Sequence, residues 1–61
     1  MEDLVNGKIV YHWSFGQGVV QNAKPDIDDV PEWWRHDHTA VALVAFEYYG
    51  NEWVQIVDLE D

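Results

Sequence analysis

The chain contains no cysteine, which removes disulfides and thiolate metal sites as means of holding a small fold together. It carries only three Lys and Arg residues against twelve Asp and Glu, a formal net charge of -9. That shortage of basic side chains disfavours direct DNA or RNA binding, because such affinity is built mainly from Lys and Arg contacts to phosphates. No apolar run approaches the ~20 residues of a membrane span, and no charged segment followed by an apolar one opens the sequence. A soluble cytoplasmic protein with no membrane contact is therefore expected. Proline is confined to Pro25 and Pro31, and glycine to positions 7, 16, 18 and 50, so the turn signals are few and well separated.

What is present is aromatic and acidic. Four Trp, three Tyr and two Phe make up 15% of 61 residues. Each ring buries a large area at the cost of few torsions. A chain of this length buries only about 60% of the surface its unfolded form exposes, so residues 1–61 form one domain with a small core. The acid provides solubility in any event; alternatively, it is a recognition surface for a basic protein.

The stretch Tyr11-His12-Trp13-Ser14-Phe15-Gly16-Gln17-Gly18-Val19-Val20 organises the rest. It reads as a strand from Lys8 to Trp13, a bend at the glycines, and a second strand from Val19 to Asn22 that Lys24-Pro25 ends. An acidic lead-in, Met1 to Asn6, precedes it, with a turn at Asn6-Gly7. Pro25 to Thr39 is a long acidic loop, and one helical turn is expected around Pro31 to Arg35, with proline in the first turn and acid near the positive end. Ala40 to Tyr49 is the strongest strand signal, apolar on both faces over its first seven residues. A hairpin turn at Gly50-Asn51 leads to a last strand, Glu52 to Val57, and an acidic tail anchored by Leu59. No repeat or linker interrupts this order.

Alternation places Val10, Phe15, Val20, Ala42, Val44, Phe46, Val54, Ile56 and Leu59 inward as the core. It leaves Tyr11, Val41, Leu43 and Trp53 facing outward. Either that outward set is an interface, or the long loop folds back and covers it with Trp33 and Trp34, or one tryptophan is buried and the other exposed at a partner site. Among possible chemistries, His36-Asp37-His38 has no third or fourth ligand at a recognisable spacing, so a polar loop end is the better reading than a metal site. Asp26, Asp28, Asp29 and Glu32 lack the glycine and terminal glutamate of a calcium loop. Ser14 and Thr39 have no base at a recognisable spacing, and neither Gly16-x-Gly18 nor Gly50 cradles phosphate, so no enzyme activity and no cofactor are expected. His12 is expected to hydrogen-bond around the bend.

The run Val10-x-His12-x-x-Phe15-Gly16-x-Gly18-x-Val20, followed by Ala42-x-Val44-x-Phe46, Gly50-x-Glu52-Trp53-Val54 and Leu59, spans Gly7 to Leu59. It resembles the small Tudor-like or SH3-like barrel at the C-terminus of UvrD/PcrA-type helicases and related free-standing domains. Trp13 stands where that family usually has proline, and Glu52 where it usually has lysine. The resemblance implies an all-β, SH3-like or Tudor-like barrel of about five antiparallel strands, with one long acidic loop containing a short helical turn. It also implies a docking module for RNA polymerase or nucleic acid, and the charge balance favours the protein.

The expected function is accordingly non-catalytic binding to a basic protein of the transcription or DNA-repair machinery. Trp33, Trp34 and Trp53 would be the anchors, with Tyr11 and Leu43 beside them, and Asp26, Asp28, Asp29, Glu32 and Glu52 would steer the partner. Two alternatives stand beside it: an acidic inhibitor, such as a phage would encode, that mimics nucleic-acid charge and blocks a DNA-binding protein, and a homodimer closed by the outward apolar set.

Overall fold

The computed structural model describes residues 4–61. Its fold is all-β, as the sequence predicts: five antiparallel strands in one sheet, β1 (Ile9–His12), β2 (Gly16–Asn22), β3 (Val41–Phe46), β4 (Gly50–Gln55) and β5 (Leu59–Glu60). Their order across the sheet is β4-β3-β2-β1-β5. Residues 1–3 of the acidic lead-in lie outside the described residues.

That order forces the sheet to curl. In a flat sheet β4 and β5 would stand four strand spacings apart, about 19 Å at ~4.8 Å each. The chain between Gln55 and Leu59 holds only the 3₁₀ turn Ile56–Asp58, four Cα steps that reach at most about 14 Å. The two ends of the sheet must therefore approach one another. The right-handed twist of antiparallel strands supplies the curvature, and a register shift between Val20 and Asn22, opposite β3, bends β2 further.

Val10, Val20, Ala23, Val44, Phe46, Val54 and Leu59 form the buried core, with Leu4 and Phe15 packed against it. All but Ala23 and Leu4 belong to the predicted inward set. Ile56 is only half-buried, because it sits in the 3₁₀ turn and not on a strand.

Both hairpins differ in detail from expectation, and for one reason. The first turn is Trp13-Ser14-Phe15, and Gly16 opens β2 opposite His12; the second is Glu47-Tyr48-Tyr49, and Gly50 opens β4 opposite Phe46. Gly16 and Gly50 have φ of 82° and 75°, so each glycine closes its turn and none forms the bend itself. Strand three accordingly stops at Phe46, short of Tyr49.

Gly18 serves a different purpose. It lies within β2 between Val10 and Phe46, and a Cβ placed there would stand 2.6 Å from Val44 Cγ1 and 2.8 Å from Phe46 Cδ1. The absence of a side chain lets two core residues of β3 close over the backbone of β2.

The long loop is structured. It contains the 3₁₀ turn Ile27–Asp29 and a longer 3₁₀ segment, Glu32–Ala40, kinked at Asp37, so helical geometry extends well beyond the single turn expected at Pro31 to Arg35. Pro25 and Val30 of this loop are buried, and its 3₁₀ segment contacts β3. Val41, expected to face outward, is completely buried at the point where this segment enters the sheet. The β3 face opposite the core is thus covered at its start and half-open further along, at Leu43 and Ala45. No helix among the described residues is long and apolar enough to cross a membrane.

A clamp joins residues far apart in sequence: Lys8 Nζ donates to the Asp61 carboxylate at 3.0 Å, just before β1 and just after β5. That bond from Lys8, aided by its charge, lowers the Asp61 pKa below the usual carboxylate value. A carboxylate more acidic in the folded chain than in the unfolded one stabilises the fold above its unfolded pKa, and the contribution disappears as pH falls through the folded value.

Melting temperature against pH should show this: Asp61→Asn removes the increment at neutral pH and converges with the parent chain in acid, and added salt shrinks the difference. Replacing Gly18 with Ala should cost about 1–3 kcal/mol by overpacking, read as a lower urea midpoint with the slope unchanged.

Candidate functional site

The alternation of β1 directs His12 inward, where it is buried beside Val10 of the same strand face. Its Nδ1 accepts hydrogen bonds from the backbone N–H groups of Ser14 at 3.0 Å and Phe15 at 3.2 Å. Both bonds place the ring hydrogen on Nε2. The imidazole thus ties down the β1–β2 turn, as the sequence reading anticipates.

It also organises the rings around that turn. His12 stacks on Phe15 with centroids 4.7 Å apart and on Trp13 at 5.5 Å, both at 24° between planes, and meets Phe46 edge-on at 5.8 Å. Phe15 in turn contacts Phe46 and Tyr49, each at 5.1 Å. The histidine carries an aromatic cluster from the core out to the surface, and its outermost member, Trp13, is 80% exposed.

The β4-to-β5 crossing brings a second set of groups against this turn. A groove of about 270 Å³ is walled by Trp13 and Phe15 of the turn, Trp34 of the long 3₁₀ segment, Trp53 and Gln55 of β4, and Asp58 of the 3₁₀ turn, with His12 also contributing. Trp34 and Trp53 are half-buried. The backbone N–H of Trp34 donates to the Pro31 carbonyl at 2.8 Å, and Trp53 pairs across the sheet with Leu43. Next to Trp34, Arg35 Nε donates to the Val30 carbonyl at 3.2 Å.

The structure therefore divides the residues expected to form one surface. Trp34 and Trp53 line the same groove, although neither is the freely exposed anchor expected. Trp33 projects away at 74% exposure and does not line the groove. Tyr11, 48% exposed, lies on the outer sheet face opposite Gln17 and Glu60, and Leu43 is half-buried beneath its pairing with Trp53. Asp26, Asp28, Asp29, Glu32 and Glu52 are all exposed. Two of these acids have a structural duty as well: the Asp26 N–H donates to the Asp29 carboxylate at 3.1 Å while the Asp29 N–H donates to the Asp26 carbonyl at 2.9 Å, holding the first 3₁₀ turn.

Trp13, Phe15, Gln55 and Asp58 also line the groove, although none belongs to the binding set expected from the sequence. Trp13 offered one signal, since a large aromatic ring stands in a turn where the resembled family has proline. Asp58 offered none, because its place depends on the crossing between distant strands. Among the described residues, no three His, Cys, Asp or Glu side chains gather into a metal site.

Replacing His12 with Ala leaves two turn amides without their acceptor and removes the stacking, and should cost at least about 1–3 kcal/mol. Hydrogen exchange at Ser14 and Phe15 should accelerate more than at the β3–β4 pairs, which checks that the loss starts at the turn.

Comparison with known proteins finds no family model that matches the chain, and no matching curated protein or solved structure.

Proposed function

We propose that this chain is a non-catalytic module that docks onto a basic protein of the nucleic-acid machinery, an RNA polymerase or a helicase. The observation that carries the reading is the convergence of Trp13, Trp34 and Trp53 on one open groove, with an exposed Trp33 outside it, in a chain of net charge -9. Tryptophan is among the residues that dominate binding energy at protein interfaces, where desolvated rings fill pockets. The exposed acids of the long loop raise the encounter rate with a basic partner and exclude acidic ones. The choice of transcription or repair machinery rests on the sequence resemblance to the helicase C-terminal barrels.

The second reading, an inhibitor that mimics nucleic-acid charge, draws on the four exposed carboxylates of Asp26, Asp28, Asp29 and Glu32 in one loop. Salt separates the two. Charge mimicry predicts that affinity falls steeply between about 50 and about 200 mM salt, whereas aromatic docking predicts a shallow dependence.

Immobilised protein should retain purified RNA polymerase or a UvrD-type helicase, and the Trp33→Ala, Trp34→Ala double variant should lose that retention with an unchanged far-UV spectrum. Retention by the double variant would rule out these tryptophans as anchors.

A further inference from the structure

The groove at the β1–β2 turn has a chemistry of its own. We infer that it receives an arginine side chain of the docked protein, its guanidinium lying against the indoles and pairing with Asp58. This deepens the docking reading and rests on it.

Three indoles and the Phe15 ring face a space of about 270 Å³, room for one side chain and little more. Indole is the best of the aromatic faces for a cation. Trp13 is positioned in advance by its stack on the buried His12, so little ordering is needed when a ligand arrives. A purely apolar guest would satisfy the rings, but it would cover the half-buried carboxylate of Asp58 and leave it without a partner.

Among the described residues, no hydrogen bond or ion pair engages that carboxylate, and no Lys or Arg lines the groove. Lys8 is engaged by Asp61 and Arg35 by the Val30 carbonyl, while Lys24 lines a separate cleft beside Asn6 and Asn22. An anionic guest would meet both Asp58 and the field of a chain at -9. A planar cation satisfies every wall at once. Arginine fits better than lysine because its flat, weakly hydrated guanidinium stacks on a ring while its N–H fork bonds a carboxylate, and Gln55 can accept a further N–H.

The test uses the unmodified chain and a defined probe, the peptide acetyl-Gly-Arg-Gly-amide, against its citrulline counterpart, which keeps the shape and loses the charge. The four indole N–H signals are followed by NMR during titration. The arginine peptide should shift the signals of Trp13, Trp34 and Trp53 and leave Trp33 nearly unchanged, and citrulline should bind at least fivefold more weakly. Asp58→Asn should weaken the arginine peptide at least fivefold, and Asp28→Asn, in the exposed loop, less than twofold. Equal binding of the two peptides, an equal response at Trp33, or an unaffected Asp58→Asn variant would each overturn the inference. Retention of the polymerase or helicase without any indole response to arginine would refute the groove assignment alone. Loss of that retention by the unmodified chain would refute the docking reading beneath it.

Discussion

The short passage from β4 to β5 is the constraint on which the rest of the molecule depends. With only a three-residue 3₁₀ turn between the two strands, the sheet cannot stay flat, and the edge strand β4 is drawn round toward β1. Closure gives the small core its enclosed shape, with Leu59 returning as its last member. The same passage carries Asp58, Gln55 and Trp53 to the β1–β2 turn. The candidate site is thus a direct consequence of how the barrel-like sheet closes, and a longer connection would separate its two walls.

On the other wall, one buried histidine links the core to the surface. His12 occupies an inward position of β1, yet its Nδ1 accepts from the two amides of the following turn, so that nitrogen carries no unpaired-acceptor penalty. Its faces support Phe15 and Trp13, which fixes an exposed indole that would otherwise sample many rotamers. The core and the groove share this residue. The acids are arranged in the opposite manner: the loop carboxylates stand in water, where charge affects encounter more than affinity, while Asp58 is half-buried among rings, where pairing matters most.

The described architecture also explains why strand β3 is apolar on both faces. Val44 and Phe46 belong to the core, whereas Val41 on the other face is covered where the long loop enters the sheet. Leu43 is shielded in part by its cross-strand neighbour Trp53. A strand buried on one face would not need that composition.

Much of the fold is legible in the residue order, because local rules act over a few residues. Period-two alternation identifies Val10, Val20, Val44, Phe46 and Val54 as core, and glycine marks each turn. Turn positions are less legible: Gly16 and Gly50 close turns that begin three residues earlier, and Gly18 is needed for the approach of β3, which no local signal announces. The groove was decided by tertiary structure alone. Trp13 and Asp58 are 45 positions apart in sequence, and they share one groove only because the sheet closes upon itself. Residue order alone dictates an acidic, aromatic, all-β chain; the approach of β4 to the β1 side sets which aromatic rings and which carboxylate face the same space.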